Sequence, residues 1–341
     1  MGTTIYDISE KANVSIATVS RVLNGSEKVK GKTRQKVLDA IQECGYTPNA
    51  FARGLGLNSM NTIGLMCADS SDLYLAKAVS YIEQNLRANG YNSILCCTGY
   101  EMEPKKAALE LLLSKRVDSI VMIGSSYVEE SDKDNEYIRQ AATQIPIMLL
   151  NADFDFPNVY CTLCDDFKSM MTATNFLLNN NLDHILYLYN ANTYSSIRKL
   201  NGYQTAVLQY GKEPKPEYQA FYNGSKEDLD AISSFLDTFI QKNNLTINAI
   251  LSSDDVLAQG AYKYLRKKNL KIPEDVAVIG YNNSILAHCN SPELTSVDNK
   301  LESLCNQLSK TLIQILLGVE MPQKTILSGE LVYRESTPRS K

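Results

Sequence analysis

The sequence has little histidine, the side chain that most often serves as a catalytic acid or base and as a metal ligand. It contains two histidines, His184 and His288, and neither has a serine or cysteine partner at a recognisable spacing. It also lacks a GxxxxGK[ST] phosphate loop and a G-x-S-x-G nucleophile elbow. Carboxylates are plentiful, but the pattern singles out no pair of them. We therefore predict that the protein is not an enzyme and has no resident cofactor.

Long apolar runs are missing as well. No stretch approaches the ~18 consecutive apolar residues that suggest a membrane span, and the N-terminal segment MGTTIYDISEKA has no apolar signal-peptide core. These two absences predict a cytoplasmic protein with no membrane partner. With 44% hydrophobic and 21% charged residues, the 341-residue chain should fold into two or three domains with buried cores.

The eight cysteines are scattered through apolar segments and do not follow the spacing of a small disulfide scaffold. Cys161 and Cys164 form a CxxC pair, which is compatible with a redox site or with half of a zinc site. No second CxxC and no histidine pair accompanies them. The pattern therefore favours buried cysteines that act as small hydrophobic residues.

Charge is distributed unevenly along the chain. The net charge is −4, but residues 1–60 contain eight Lys and Arg against five Asp and Glu, a balance of +3. The rest of the chain contains 26 basic against 33 acidic residues, a balance of −7. A small basic head on an acidic body predicts that one end of the protein meets a polyanion.

The first 46 residues have the pattern of three short helices. Thr4-Ile-Tyr-Asp7 resembles a capping box for a helix that ends near Ala12. Ser15 is a suitable N-cap for a second helix that runs to Leu23, and a third helix is expected at roughly 32–44. Two helices joined by so short a turn are typical of a helix-turn-helix.

The second of these helices has two distinct faces. Its apolar residues should pack on the other two helices: Val19, Val22 and Leu23. Ile16, Ala17 and Arg21 fall on an outer face, which begins at the helix N-terminus, where such motifs touch base edges. Short polar residues surround this face, and such groups contact phosphates. The alternative is a plain three-helix packing unit whose outer face is only solvated.

From residue 62 onwards, apolar runs alternate with amphipathic helices. A first series of buried strands is predicted at 62–67, 92–98, 119–123 and 146–150, and a second at 159–162, 184–189, 249–252 and 276–281. Such alternation predicts parallel sheets covered on both faces. Two series predict an α/β core of two doubly wound lobes, with a cleft at the carboxyl ends of the strands. We expect the chain to cross between the lobes at 151–158 and 288–294.

Motifs along the chain point to a known family. TIYDISEKANVSIATVSRVLNG and KTRQKVLDAIQECGYTPNAFARGL strongly resemble the DNA-binding head of the lactose/galactose repressor (LacI/GalR) family. Later segments of this chain also resemble the family's motifs, and they occur in the family's order: NTIGLM, SIRKLNGYQTAV, SSDDVLAQGA, VAVIGYNNS and SPELTSV. The head motif is specific, whereas each later motif is weak alone. Together they extend the resemblance over nearly the whole chain.

The resemblance implies a dimeric transcriptional repressor in three parts. These are a helix-turn-helix head at 1–48, a hinge helix and linker at 49–58, and a periplasmic-binding-protein-like core at 59–341. Lobe one of the core would comprise about 59–160 and 292–323, and lobe two about 161–291 and 324–341. The homodimer would bind a palindromic operator in double-stranded DNA, and the core would bind a small, sugar-like effector.

By the same resemblance, the DNA contacts fall into three groups. Ile16, Ala17 and Arg21 would read bases, with Arg21 suited to a bidentate contact with guanine. Six residues would hold phosphates: Tyr6, Ser15, Ser20, Asn24, Thr33 and Tyr46. In the hinge, Ala52, Arg53 and Leu55 would face the minor groove, where Leu55 would wedge into the central base step.

Gly54 and Gly56 flank that leucine wedge. Each interior glycine costs ~1 kcal/mol of helix stability relative to alanine. We therefore expect the hinge to be unfolded away from DNA and to become helical when the operator is bound. The alternative is a flexible linker that never forms a helix.

The resemblance places five effector contacts in the interlobe cleft: Asp72, Tyr74, Arg198, Asp254 and Asn282. Arg198 is assigned to the family's Arg-x-x-Gly-Tyr segment, and a guanidinium suits hydroxyl pairs or a carboxylate. Asp72 stands where the family has an amide, Asp254 where it often has Asn, and Asn282 where it often has Asp. As alternatives, Asp254 and Asp255 could only cap a helix, and Arg198 could be a surface salt-bridge partner.

Two other functions are compatible with parts of the pattern. A solute-binding or sensory module that does not bind DNA would fit the two-lobed core but not the basic head. A partner protein could also serve as corepressor, beside the small molecule or in its place.

Overall fold

The computed structural model describes residues 3–23, 26, 28–46 and 59–338. The chain separates into two compact units, a small N-terminal one and a larger one that begins at Ile63. Residues 115–118 cluster with the first unit, because the Asp118 carboxylate accepts hydrogen bonds from the backbone N–H groups of Met60 and Thr62, each at 2.9 Å.

The described residues of the N-terminal unit form three helices: α1 at Ile5–Ala12, α2 at Ile16–Leu23 and α3 at Gly31–Glu43. Their apolar faces meet in one small core of buried residues: Ile8, Ala12, Val19, Val22, Val37 and Ala40. Leu23 packs against this core while partly exposed. The predicted three-helix arrangement and the predicted inner face of α2 are confirmed.

The ends of α1 and α2 follow the chemistry that the sequence predicts. The Asp7 carboxylate accepts hydrogen bonds from the Thr4 backbone N–H at 2.7 Å and from the Thr4 hydroxyl at 2.8 Å. These bonds hold the pKa of Asp7 below its ordinary value. Ser15 Oγ accepts from the Thr18 N–H at 3.2 Å. Between the helices, Asn13 has a left-handed backbone with φ 51°, a conformation that asparagine tolerates well.

The larger unit alternates strands with helices. Its strands are β1 Thr62–Cys67, β2 Asn92–Cys97, β3 Ser119–Ile123, β4 Ile147–Leu150, β5 Val159–Cys164, β6 Ile185–Tyr189, β7 Gln219–Phe221, β8 Ala249–Ser252, β9 Ala277–Tyr281, β10 Thr295–Asp298, β11 Lys324–Leu327 and β12 Glu330–Val332. Its α-helices are α4 Leu73–Ala88, α5 Met102–Ser114, α6 Glu136–Ala142, α7 Asp166–Asn179, α8 Tyr194–Gln209, α9 Leu229–Lys242, α10 Asp255–Lys267 and α11 Leu301–Leu316.

The strands form two six-stranded sheets, one in each lobe. The order is β11-β5-β4-β3-β1-β2 in lobe one and β12-β10-β9-β8-β6-β7 in lobe two. Parallel pairing dominates both sheets, and β12 is antiparallel to β10. All five residues of β3 are buried, as expected for a strand in a sheet covered on both faces. The predicted α/β core of two doubly wound lobes is confirmed.

Helices cover the sheets. In lobe one, α4 and α11 pack with the sheet and bury residues such as Ile82 and Leu308. In lobe two, α7 and α8 cover one face and α9 and α10 the other.

The lobe boundaries differ from the prediction by one strand at each crossing. β5, which was expected to open lobe two, pairs with β4 in lobe one, and β11 pairs with β5 there. Conversely, β10 belongs to the sheet of lobe two. The boundaries predicted at 160/161, 291/292 and 323/324 are therefore wrong. An apolar strand has the same pattern in either sheet, so the pattern located the strands without assigning them to a sheet.

The chain crosses between the lobes at Asp165, at 299–300 and at 328–329. The crossings predicted at 151–158 and 288–294 are wrong, because each of those segments joins elements of a single lobe. Within the larger unit, lobe one thus contains 63–114, 119–164 and 301–327, and lobe two contains 166–298 and 330–338.

The CxxC pair lies in β5, and both cysteines are buried. Burial raises the pKa of Cys161 to about 11 and that of Cys164 to about 12, which keeps both thiols neutral. The prediction that the pair packs as small hydrophobic residues is confirmed. Across the part of the chain that the structure describes, no helix combines the length and hydropathy of a membrane span.

Candidate nucleic-acid interface and ligand cleft

The outer face of α2 presents the three side chains predicted to read bases. Ile16 is 39% exposed, and Ala17 and Arg21 are exposed beside it. On the inner side, Val19 and Val22 are buried and hold the helix in place. Ile16 and Ala17 can offer only apolar contacts, for example to a thymine methyl, whereas Arg21 can donate two parallel hydrogen bonds. This face has the chemistry of a helix that reads base edges.

The residues predicted to hold phosphates are less uniform. Tyr6 is 68% exposed, Ser15 is exposed, and Ser20 and Thr33 are half-buried. Ser15 Oγ also caps α2 by accepting from the Thr18 N–H, and it lies 2.9 Å from Thr18 Oγ1. Tyr46 is half-buried because its ring packs against the core of the head.

The remaining DNA contacts lie outside the described residues. These are Asn24, together with Ala52, Arg53 and Leu55 of the expected hinge. The hinge helix and its minor-groove contacts therefore stay predictions.

In the larger unit, the carboxyl ends of the two sheets face a shared cleft. Its lining includes the loops that directly follow β3 and β4 in lobe one and β6, β8 and β9 in lobe two. In open α/β sheets, ligands bind outside the carboxyl ends of the strands. The cleft is therefore where this architecture places a ligand, as the sequence predicted.

Two cavities occupy the cleft. The larger has a volume of about 530 Å³. The smaller has a volume of about 160 Å³ and is lined mainly by hydroxyl, amide and charged groups. Both are lined by Asp72, Tyr74, Lys226, Asp254 and Asn282. Four of the five predicted effector contacts thus come together around one point.

Two carboxylates at that point each cap a helix with one oxygen and bind Lys226 with the other. Asp72 Oδ1 caps α4 by accepting from the N–H groups of Tyr74 and Leu75, both at 3.0 Å. Asp254 Oδ1 caps α10 by accepting from the Leu257 N–H at 2.8 Å. The second oxygen of each carboxylate accepts a hydrogen bond from Lys226 Nζ, at 2.9 Å for Asp72 and 3.1 Å for Asp254. Asp254 therefore caps a helix and lines the cleft at the same time.

Amide groups line the smaller cavity next to Tyr74. The hydroxyl of Tyr74 accepts a hydrogen bond from Asn151 Nδ2, and burial raises the pKa of that hydroxyl well above its ordinary value. Asn299 Nδ2 donates to Asn282 Oδ1 at 3.0 Å. Asn299 Oδ1 is buried and has no hydrogen-bond partner among the residues described. Because buried polar atoms normally have partners, this acceptor favours a ligand that donates a hydrogen bond, such as a hydroxyl.

Arg198, the fifth predicted contact, does not line either cavity. Its side chain is 43% exposed, and its guanidinium lies 5.0 Å from the centroid of the Phe167 ring and 3.9 Å from the Asp165 carboxylate. The structure thus does not bring Arg198 together with the other four residues. Its surroundings match the alternative of a surface ion pair.

Lys199 takes the place that was predicted for Arg198. It is 8% exposed and lines the smaller cavity. Its Nζ donates to the Ser253 carbonyl at 3.0 Å and lies 3.8 Å from the centroid of the Tyr281 ring. The cation of the cleft on α8 is therefore a lysine.

Gly202 explains this one-residue error. A Cβ at Gly202 would lie 2.3 Å from the backbone carbonyl oxygen of Phe167, so glycine is required where α8 crosses α7. In Arg-x-x-Gly the cation precedes the glycine by three residues. Lys199 has this spacing, whereas Arg198 precedes Gly202 by four. The predicted assignment was out of step by one position on the helix.

A buried lysine holds the loop after β3. Lys105 Nζ donates to the Ser126 carbonyl and to Glu129 Oε1, both at 2.6 Å, and the residue is 2% exposed. The neighbouring Ser125 Oγ donates across the cleft to Thr193 Oγ1 at 2.8 Å. Lys105 therefore positions a wall of the smaller cavity without lining it.

Asp255 holds the loop after β9 in position through hydrogen bonds. Its carboxylate accepts from the Ser284 N–H at 2.7 Å, from Ser284 Oγ at 2.8 Å and from Ser296 Oγ at 2.6 Å. Gly280 leaves room for it, since a Cβ there would lie 2.2 Å from Asp255 Oδ1. Burial outweighs these hydrogen bonds and raises the pKa of Asp255 to about 6.

Comparison with known families decides the assignment. Residues 4–49 match the family model described as bacterial regulatory proteins, lacI family. Residues 60–334 match the model described as periplasmic binding proteins and sugar binding domain of LacI family. The chain belongs to the LacI family. It is a helix-turn-helix transcriptional regulator with a periplasmic-binding-protein-like core, and its family is one of regulators rather than enzymes.

Individual relatives agree with the LacI assignment over the full chain. An HTH-type transcriptional regulator of Lachnoclostridium phytofermentans is 50% identical over 333 residues, which cover 98% of this chain and 99% of that protein. The HTH-type transcriptional regulator DegA of Bacillus subtilis is 29% identical over 99% of this chain and 98% of its own.

Solved structures share the fold of this LacI-family chain. The lac repressor dimer bound to operator and the anti-inducer ONPF has a TM-score of 0.87 at 23% identity, with 99% of each chain covered. The complex of the transcriptional regulator CelR with cellobiose has a TM-score of 0.72 at 23% identity, covering 98% of this chain and 99% of that one. At these identities the likeness shows a common fold.

Within this LacI-family core, sequence reasoning missed several residues of the cleft, among them Lys199, Asn299 and Lys226. Lys199 could have been found by counting back three positions from Gly202. Asn299 directly follows β10, and recognition of that strand would have placed it at a crossing. Lys226 lies in the loop between β7 and α9 and belongs to none of the motifs, so the sequence carried no signal for it.

Proposed function

We propose that this LacI-family regulator is a homodimeric repressor that binds a palindromic operator and is controlled by a small, sugar-like effector in the interlobe cleft. The exposed outer face of α2 is the observation that carries the DNA part of the proposal. It places Arg21 beside Ile16 and Ala17, on a head whose net charge is opposite to that of the core. Phosphate attraction draws such a head to DNA, and the arginine can distinguish one base pair.

Dimerisation follows from the size of the head. One short helix reads only a few base pairs, so tight binding needs two heads on two half-sites about one helical turn apart. A two-fold protein then selects an inverted repeat. Sedimentation tests this part of the proposal, which predicts a dimer at micromolar concentration.

The chemistry of the cleft supports a sugar-like effector. Carboxylate, amide and hydroxyl groups converge on it, the ring of Tyr74 contributes an aromatic surface, and Asn299 offers an unpaired acceptor. A volume of about 530 Å³ falls within the range of small-molecule sites. The core also matches a family model whose description names a sugar-binding domain. We infer that Asp72, Tyr74, Asp254 and Asn282, together with Lys199, contact the effector.

The control of DNA binding would pass through the hinge. Ala52, Arg53 and Leu55 lie between the head and β1, so a change in lobe closure would alter the spacing of two hinge segments across the dimer. An effector shifts this equilibrium only by its differential affinity for the two states, typically ~1–3 kcal/mol.

Selection of binding sites from random duplexes tests the DNA part of the proposal. Arg21→Ala should weaken specific binding by ~1–3 kcal/mol and relax the preference at one position in each half-site. Lys11→Ala is the matched control, because Lys11 is an exposed cation of the same head that pairs with Glu43. It removes the same charge and should leave the selected sequence unchanged. If Arg21→Ala returns the wild-type site, Arg21 does not read a base.

A thermal-shift screen of the full chain tests the effector part. The panel comprises monosaccharides, disaccharides, sugar phosphates, nucleobases and nucleosides. We expect a sugar or sugar derivative to raise the melting temperature and also to change operator affinity. A compound that stabilises the chain and leaves operator affinity unchanged would argue against control through the cleft.

A further inference from the structure

A single lysine joins the two lobes across the cleft. Lys226 lies in lobe two, on the loop between β7 and α9. Its Nζ lies 2.9 Å from Asp72 Oδ2 of lobe one and 3.1 Å from Asp254 Oδ2 of lobe two. The ammonium group therefore sits between two carboxylates that belong to different lobes.

Both carboxylates are fixed in position before they meet the lysine. Oδ1 of Asp72 caps α4, and Oδ1 of Asp254 caps α10, so only the Oδ2 atoms are free to turn toward the cleft. The positive ends of the two helix dipoles stabilise these carboxylates. Lys226 thus ties the start of a lobe-one helix to the start of a lobe-two helix, and the lobes cannot separate here without breaking a charged contact.

Burial makes that contact costly to break. The exposed fraction of the side chain is 29% for Lys226, 15% for Asp72 and 11% for Asp254. Burial alone would lower the pKa of Lys226, but Asp254 and Asp72 outweigh it and raise the pKa above the ordinary value. A charged group in such surroundings is poorly hydrated and is destabilised when it loses its partner.

Two other side-chain contacts across the cleft do not join opposite charges. Ser125 Oγ bonds Thr193 Oγ1, which is a pair of neutral hydroxyls, and the Tyr194 hydroxyl lies 3.4 Å from Asp153 Oδ2. Among the residues described, Lys226 with Asp72 is the ion pair that spans the cleft away from the three crossing segments.

We propose that Lys226 is a latch that holds the two lobes together across the cleft. The proposal deepens the proposed function, because it names the contact that an effector lying in both cavities has to meet. Lys226 lines both of them, and its side chain stands between carboxylates that also line both.

Hydrogen–deuterium exchange of the full chain tests the latch without operator or effector. Lys226→Met removes the charge and keeps most of the length of the side chain. We expect exchange to become at least about fivefold faster in the loops at 124–126 and 190–196, which form opposite walls of the cleft. Exchange in the head should not change. Small-angle scattering of the same variant should show a larger radius of gyration.

Two further variants and a control keep the test decisive. Asp72→Asn retains a good N-cap for α4 and removes the partner in lobe one, so it should match Lys226→Met. Asp254→Asn removes only the partner within lobe two and should have a smaller effect. Lys263→Met is the control, since Lys263 pairs with Asp230 inside lobe two, and it should leave the cleft loops unchanged.

Unchanged exchange and scattering in both Lys226→Met and Asp72→Asn would overturn the latch. Should Lys226→Met fail to fold, Asp72→Asn decides alone. Because the measurement uses neither DNA nor a sugar, its outcome is separate from that of the site selection and of the thermal-shift screen.

Discussion

Acidification should stabilise the core through Asp255. The carboxyl group has a pKa of about 6 in the folded protein, against an ordinary value of 3.8. Between these two pH values the folded state binds a proton that the unfolded state does not bind, so the free energy of unfolding rises as the pH falls. The gain begins below about pH 7, is largely present near pH 4 and is complete about one pH unit below 3.8. A tenfold change in proton affinity is worth ~1.4 kcal/mol, so the full gain is about 3 kcal/mol.

Asp255→Asn isolates this effect. Asparagine has nearly the same size, its carbonyl can accept from Ser284, and the Ser296 hydroxyl can turn to accept from the new amide. Carboxylates whose pKa lies below 3.8, such as Asp183, lose stabilisation only at lower pH and do not interfere. Urea unfolding followed by circular dichroism at pH 7, 6 and 5 should show the gain in the wild type and not in Asp255→Asn. Parallel pH profiles for the two proteins would refute the argument.

Two further predictions concern the cleft and the hinge. Lys199→Met should weaken binding of the sugar identified by the screen by roughly 10–100-fold, because a hydrogen bond to a charged group contributes ~1.5–3 kcal/mol. Arg198→Met changes the neighbouring exposed residue and should alter that affinity by less than about twofold. Titration calorimetry measures the affinity of both variants for the sugar. Equal effects of the two substitutions would contradict the assignment of Lys199. Gly54→Ala with Gly56→Ala should favour the hinge helix by up to about 2 kcal/mol, so operator should bind more tightly and respond less to effector. Gel-shift titrations measure both quantities, and if both are unchanged while Leu55→Ala is also harmless, the hinge is only a tether.

The sequence predicts where strands and helices lie better than it predicts which strands pair with each other. Strands such as β1, β3 and β8 were predicted with the bounds that the structure has, because turns delimit each apolar run sharply. The assignment of β5 and β10 to a sheet failed, since pairing depends on contacts between residues distant in sequence. Short edge strands such as β7 and β12, with three residues each, gave no apolar run long enough to detect.

The same distinction holds for the site. Asp72, Tyr74, Asp254 and Asn282 each follow a buried strand or begin a helix, so a local motif and the topology together place them in the cleft. The position of Arg198 depended on a register along α8 that only the close packing of Gly202 on α7 fixes. Lys226 contacts a carboxylate 154 residues away, and no local pattern contains that information.

Lys226 also accounts for the two departures from the family pattern at the mouth of the cleft. Asp72 and Asp254 both stand where the resemblance led us to expect a neutral amide, and the two substitutions place two negative charges on opposite lobes. Alone, these charges would repel each other and would hold the lobes apart. One ammonium group between them, at 2.9 and 3.1 Å, converts that repulsion into an attraction across the cleft. An effector in this cleft would therefore meet a charged bridge, whereas amides at the two positions would present neutral hydrogen-bonding groups. The selectivity of the protein for effectors should depend on how well each one competes with Lys226 for the two carboxylates.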